Sequence, residues 1–199
     1  MARVGQIITN PVSGEQIEFV ETAASTNGER LVINLVLAPD GKVPGMHVHP
    51  KQEERFEVIA GKMEFRMGLK KIEAGPGDVV TVPMGKVHKF ANAGETTAVV
   101  RVTVTPALEM ERLFETTVAL AHEGRVTASG MPKPLDLALF VKEFSNEVRG
   151  PGSPGALQRA MLSPLAAIGR MRGHDERYAS PRPAIASCER KTPGRRGPR

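Results

Sequence analysis

Apolar and polar residues alternate in short stretches over the first half of the chain. "RLVINLVLAP", "RFEVIAG", "KMEFRMG", "GDVVTVP", "VHKFAN" and "TAVVRVTVTP" are each β-branched or alternating, with Gly, Pro or Asn between them. That spacing predicts antiparallel strands of a sandwich or barrel across residues 1–106. "TNGE" at 26–29 holds an Asn-Gly pair suited to a type I′ hairpin turn. The period changes after residue 106. "ALEMERLFETTVALAHEG" carries Leu108, Leu113, Phe114 and Leu120 at three- and four-residue steps. "PLDLALFVKEFSNEVRG" opens at Pro134, aligns Leu137, Val141, Phe144 and Val148, and ends at Gly150. "GALQRAMLSPLAAIGRMRG" aligns Leu157, Met161, Leu165 and Ile168, with Pro164 expected to kink it or split it in two. Three helices are therefore expected over 107–173. Residues 174–199 are rich in Pro, Arg and Gly without periodicity and are expected to be disordered.

Composition narrows the reading. The 199 residues suit one domain with an extension. Aromatics make up 4% and tryptophan is absent, so the core must rest on Val, Leu, Ile and Met. Of the net charge of +5, the segment 174–199 supplies +4, with seven Arg or Lys against three acids. A nearly neutral body argues against specific nucleic-acid binding, which needs a basic face, and the tail reads as a solvated terminus. The lone cysteine, Cys188, excludes an intramolecular disulfide or a multi-thiolate metal site. The N-terminal stretch "MARVGQIITN" lacks the apolar core of a secretion signal. No run approaches the ~18 apolar residues of a membrane span. A soluble, cytoplasmic protein with no membrane partner is the expectation, and helices that pack on the barrel or pair in a homodimer.

The five histidines carry the candidate chemistry. "GMHVHP" places His47 and His49 two apart, which in a strand turns both to one face. In "KQEERFEVIAG", Glu54, Phe56 and Val58 share one face, while Glu53, Arg55 and Glu57 share the other. The first face is apolar and reads as interior. A carboxylate there is costly without a partner, and a metal shared with His47 and His49 supplies one. In "KVHKFAN", His88 turns inward with Phe90. His122, at a helix end, and His174, in the tail, stand apart from this set.

These residues resemble the cupins. The first cupin motif, G-x5-H-x-H-x3–4-E-x6-G, is met by Gly41, His47, His49, Glu54 and Gly61. The second, G-x5-P-x-G-x2-H-x3-N, is met by Gly77, Pro83, Gly85, His88 and Asn92. The match covers roughly residues 30–105. It implies a mainly β fold, an antiparallel double-stranded β-helix (jelly-roll) barrel of six to eight strands, followed here by a short α-helical extension. It also implies one metal ion held by His47, His49, Glu54 and His88, the set that strand parity selects.

Three imidazoles and a carboxylate suit one divalent ion of iron, manganese, nickel, cobalt or zinc, leaving two octahedral positions for water, dioxygen or a chelating substrate. The inward positions Leu35, Phe56, Val58, Met63, Phe65, Phe90 and Val102 give an uncharged lining, which suits a small apolar or aromatic chelating molecule better than a phosphosugar. Glu54 is the candidate catalytic proton carrier. The expected function is a metal-dependent dioxygenase-like oxidoreductase. Its alternatives are a non-catalytic small-molecule-binding cupin, or a cupin isomerase or decarboxylase, since the fold serves many reactions.

Overall fold

The computed structural model describes residues 2–39, 41, 45–152 and 155–178. The predicted tail beyond residue 178, Cys188 included, lies outside them. Alternation in the first half becomes nine strands: β1 (Ile7–Thr9), β2 (Gln16–Glu21), β3 (Leu31–Leu37), β4 (Glu53–Ala60), β5 (Met63–Met67), β6 (Lys70–Ala74), β7 (Val79–Val82), β8 (His88–Asn92) and β9 (Ala98–Thr105). The resemblance implies six to eight barrel strands, and β1 stands beside these as an edge strand paired only with β2. The strands form two antiparallel sheets, β1-β2-β3-β9-β4-β7 and β6-β5-β8. Parity then decides what faces inward. Glu54, Phe56 and Val58 of β4 are buried while Glu53 and Arg55 are exposed, and Leu31, Ile33 and Leu35 of β3 and Val100, Val102 and Val104 of β9 fill the same interior. Phe56 of the large sheet meets Phe65 and Phe90 of the small one at ring-centroid distances of 5.1 and 5.0 Å. The Asn-Gly pair adopts positive φ at both Asn27 and Gly28, yet it does not form a two-residue hairpin. It sits inside the longer loop that joins β2 to β3, where Thr22 and Thr26 side chains bond the loop's own backbone.

Two motif residues are explained by this frame. Gly61 turns the chain from the large sheet into the small one at φ +79°, and an added Cβ would lie 2.7 Å from the Ala98 Cα. Gly61→Ala will therefore cost about 2–3 kcal/mol, combining a left-handed backbone with a clash against rigid β9. Urea unfolding will show it as a lower midpoint at unchanged slope, and an unshifted midpoint would contradict the packing. Asn92, buried, donates to the carbonyls of Leu37, Ala38 and Thr96 at 3.0, 3.0 and 2.8 Å. It ties the end of β3 to the β8–β9 turn, satisfying acceptors that a hydrophobic residue would strand.

The helices are α1 (Met110–His122), α2 (Pro134–Glu143) and α3 (Gly155–Met171). Met110, Leu113, Leu120, Ala121, Phe140 and Phe144 join the barrel's own hydrophobic core. Arg112 braces α1 to α2, pairing with Glu109 and Glu143, donating to the Tyr178 carbonyl at 3.1 Å and lying 5.3 Å from the Phe144 ring centroid. His174 bonds the buried carboxylate of Asp136, which also pairs with Arg125.

Two expectations are corrected, and one face is newly placed. The second helix ends at Glu143, not near Gly150, so Val148 is not on its face. Phe144 caps it, and the turn-prone "SNE" that follows releases the chain into an extended segment. Pro164 does not split α3, which runs through it as one helix. The aligned face of α3 is not its buried one: Leu157, Met161, Leu165 and Ile168 are exposed, Met161 at 71%. Ala166, Leu162 and Gly169 face α2 instead, with Gly169 close enough that a Cβ would meet Leu139 at 3.0 Å. Small residues permit that close approach, a signal that hydrophobic periodicity does not weigh.

Candidate metal centre

His47 and His49 lie in a short segment beside β8. His47 and His88 exchange both backbone hydrogen bonds, at 3.0 and 2.9 Å, so the first motif is paired directly to the second. The turn carrying Gly85, at φ +77°, donates its N–H to the His49 carbonyl at 2.8 Å and fixes the other end of the segment. Glu54 enters from the opposite sheet, between Val82 and Val104. Two sheets thus deliver four side chains to one point. One ligand atom from each of His47, His49, Glu54 and His88 lies within 4.8 Å of the others. The three imidazole centroids are 4.3 to 5.2 Å apart.

Each imidazole is oriented by a carbonyl. The Nδ1 of His47, His49 and His88 meets the carbonyls of Gly45, Glu147 and Lys86 at 3.4, 2.6 and 3.0 Å. Carbonyls only accept, so Nδ1 carries the proton and Nε2 is left with its lone pair in the neutral ring. The Nε2 atoms of His49 and His88 then stand 3.3 and 2.9 Å from the Glu54 Oε2. All three atoms are buried without a hydrogen-bond partner among the described residues. Lone pairs facing a carboxylate oxygen in a dry interior require a cation between them, either a proton or a metal. The donor set fits a borderline divalent metal.

Charge follows the geometry. Burial pushes the Glu54 carboxyl up, but the imidazoles of His49 and His88 outweigh it and hold the group well below the usual carboxylate range. Burial pushes His49 down, yet the Glu54 carboxylate more than restores it and leaves it raised. His47, partly exposed at the rim, is pushed down to about 4 by burial and by its two imidazole neighbours. A metal must displace the proton that His49 takes up below its raised pKa. Metal affinity will consequently fall as pH drops below that raised value, by up to about tenfold per pH unit for each proton displaced, and level off above it. His47 and Glu54 contribute nothing in that window. Calorimetric titration with Ni(II) between pH 5.5 and 8 reads this, and a flat profile would refute it.

The seven apolar residues Leu35, Phe56, Val58, Met63, Phe65, Phe90 and Val102 lie together in the barrel interior, each at 8% exposure or less. Three features were not visible in the sequence. Gly85 holds His49 through its backbone. Gln52, fully buried before β4, donates to the carbonyls of Pro106 and Ala107 at 2.9 and 3.0 Å and ties β4 to the chain after β9. The residues after α2 return to the site: Val48 and Arg149 exchange two backbone bonds of 2.9 Å, next to the Glu147 carbonyl on His49. Only the turn-prone "SNE" inside a helical period hinted at that return.

The family described as "Cupin domain" matches residues 34–105. Germin-like protein subfamily 1 member 4 of Arabidopsis thaliana is 39% identical over 71 residues, and the match spans 32% of this chain and 32% of that protein. Among solved structures, a polyketide cyclase, RemF, from Streptomyces resistomycificus is 20% identical, with 53% of this chain and 79% of that one covered at a TM-score of 0.44. A protein described as a predicted oxalate decarboxylase from Thermotoga maritima is 23% identical, covering 53% and 98% at 0.44. A sugar phosphate isomerase from Silicibacter pomeroyi is 22% identical, covering 52% and 69% at 0.43. Among the described residues no helix is long and apolar enough to cross a membrane. With both motifs, the two-sheet barrel and the family match falling on the same residues, 34–105 form a cupin domain.

Proposed function

We propose that His47, His49, Glu54 and His88 hold one divalent metal ion of the iron, manganese, nickel, cobalt or zinc class. The chain would use it as a dioxygenase-like oxidoreductase on a small apolar or aromatic molecule with a chelating enol, phenol or carboxylate. The observation that supports this is the convergence of three buried, hydrogen-bond-free atoms, His49 Nε2, His88 Nε2 and Glu54 Oε2. When bound, the metal supplies Lewis acidity or redox chemistry. The protein's part is preorganisation. Carbonyls at Gly45, Glu147 and Lys86 keep each ring's Nε2 aimed inward. Glu54 is the one carboxylate of the set and so the candidate to carry a proton while also ligating. The wall of Phe56, Phe65 and Phe90 keeps water from the inner side.

A second reading has its own support. The three phenylalanine rings lie 5.0 to 6.0 Å apart and are almost wholly buried, as core packing requires. A ligand would then sit at the mouth beside His47, held by the metal without turnover. To separate the two, the full chain is loaded with Fe(II), Mn(II) or Ni(II) and oxygen consumption is followed with a panel of enols and phenols. Uptake with a member of the panel is expected. Saturable binding with no uptake under any metal would give the binding module precedence.

A further inference from the structure

We infer that the segment Phe144–Gly150, which lies outside the cupin domain, is a positioning strap of the metal centre and is energetically coupled to metal binding. This rests on the metal reading above. The strap begins where α2 stops. Phe144 is fully buried in the barrel core and anchors one end. The side chain of Glu147, also buried, accepts the Glu109 N–H at 3.3 Å and ties the strap to the start of α1. Arg149 then pairs with Val48 through both backbone bonds. Val48 stands between the ligands His47 and His49, and His47 is itself bridged to His88 of β8. The small sheet is thereby extended, from β8 through the histidine segment to the strap.

This course places the Glu147 carbonyl 2.6 Å from His49 Nδ1. The acceptor does two things. It fixes the tautomer, leaving Nε2 free for a cation, and it sets the ring's rotation about its own axis. Lys86 and Gly45, which serve the other two histidines in the same way, are each two residues from the ring they hold. Only His49 draws its acceptor from a remote part of the chain. Loss of an outer partner of a ligating histidine typically weakens metal affinity ~10–100-fold. Coupling is reciprocal, so a bound metal must in turn hold the strap more tightly.

Two measurements on the full chain test this. Arg149→Pro removes the N–H that bonds Val48, whereas Arg149→Ala keeps it. With Co(II) and a competing chelator, Arg149→Pro is expected to bind about tenfold or more weakly and to shift the visible Co(II) spectrum, with Arg149→Ala close to the unaltered chain. The second needs no variant: amide exchange at Val48 and Arg149 is expected to slow on adding Co(II). If the unaltered chain binds Co(II) but exchange at both amides is unchanged, the strap inference fails alone. Equal affinity in a folded Arg149→Pro chain overturns it in the same way. If the unaltered chain takes up no Fe(II), Co(II), Ni(II), Zn(II) or Mn(II), the metal reading fails and the inference falls with it.

Discussion

Glu54→Gln will leave a folded barrel with an impaired candidate metal site: affinity for Ni(II) or Co(II) is expected to drop by more than about 100-fold, beyond the loss typical of an outer partner. The substitution keeps the side chain's volume and one oxygen, so packing between Val82 and Val104 survives. What disappears is the charge that two buried imidazoles converge on, at 3.3 and 2.9 Å. His49 should lose the carboxylate that raises its pKa, because burial alone pushes an imidazole down. Metal analysis of protein purified without chelators, followed by titration of the stripped chain, reads the first effect. The proton resonances of His49 across pH read the second. A Glu54→Gln chain that retains stoichiometric metal would remove Glu54 from the ligand set. His88→Ala should behave alike for the metal, but at a larger cost to folding because it opens space at a site only 1% exposed.

Phe56→Ala is expected to lower stability by about 3–5 kcal/mol, the usual cost of removing a fully packed aromatic ring. For a chain of this size that corresponds to a fall in Tm of roughly 10 °C or more. Phe56 is fully buried and its ring lies 5.1 and 5.0 Å from those of Phe65 and Phe90. Neighbours on β4 and β9 are locked in register and cannot close the space. The measurement also bears on where a ligand sits. If Phe56 packs the core, thermal stability falls and metal affinity changes little. If it instead lines a pocket kept open for a ligand, the unliganded protein will lose little stability and small-molecule affinity will fall. A Tm within a degree or two of the unaltered chain would contradict the packing described here.

How much of this was legible in the sequence depended on the reach of each signal. Parity in β4 separated Glu54 from Glu53 because one face of that strand is apolar, and the same rule turned His88 inward beside Phe90. The two motifs carried the barrel because their glycines answer local needs, the left-handed turn at Gly61 being one. The helices were legible as helices but not in their placement. Periodicity marks an apolar face without saying which face is covered, and in α3 the covered face is the one of Ala166 and Gly169. The end of α2 was misplaced because Phe144 and Val148 keep the helical step although the backbone has left the helix. The Glu147 carbonyl was beyond reach in principle. A main-chain oxygen has no residue code, and only the path of the backbone brings it to His49.

That path has a consequence for how such a barrel can be exchanged between chains. The four candidate ligands all fall before the last strand ends at Thr105, yet the acceptor that orients His49 comes 98 positions after it. A crossover placed just after β9 would transplant every ligand side chain and leave one ring without its guide. In this chain a graft that is to keep His49 guided must therefore run past Gly150, well beyond the residues matched to the domain.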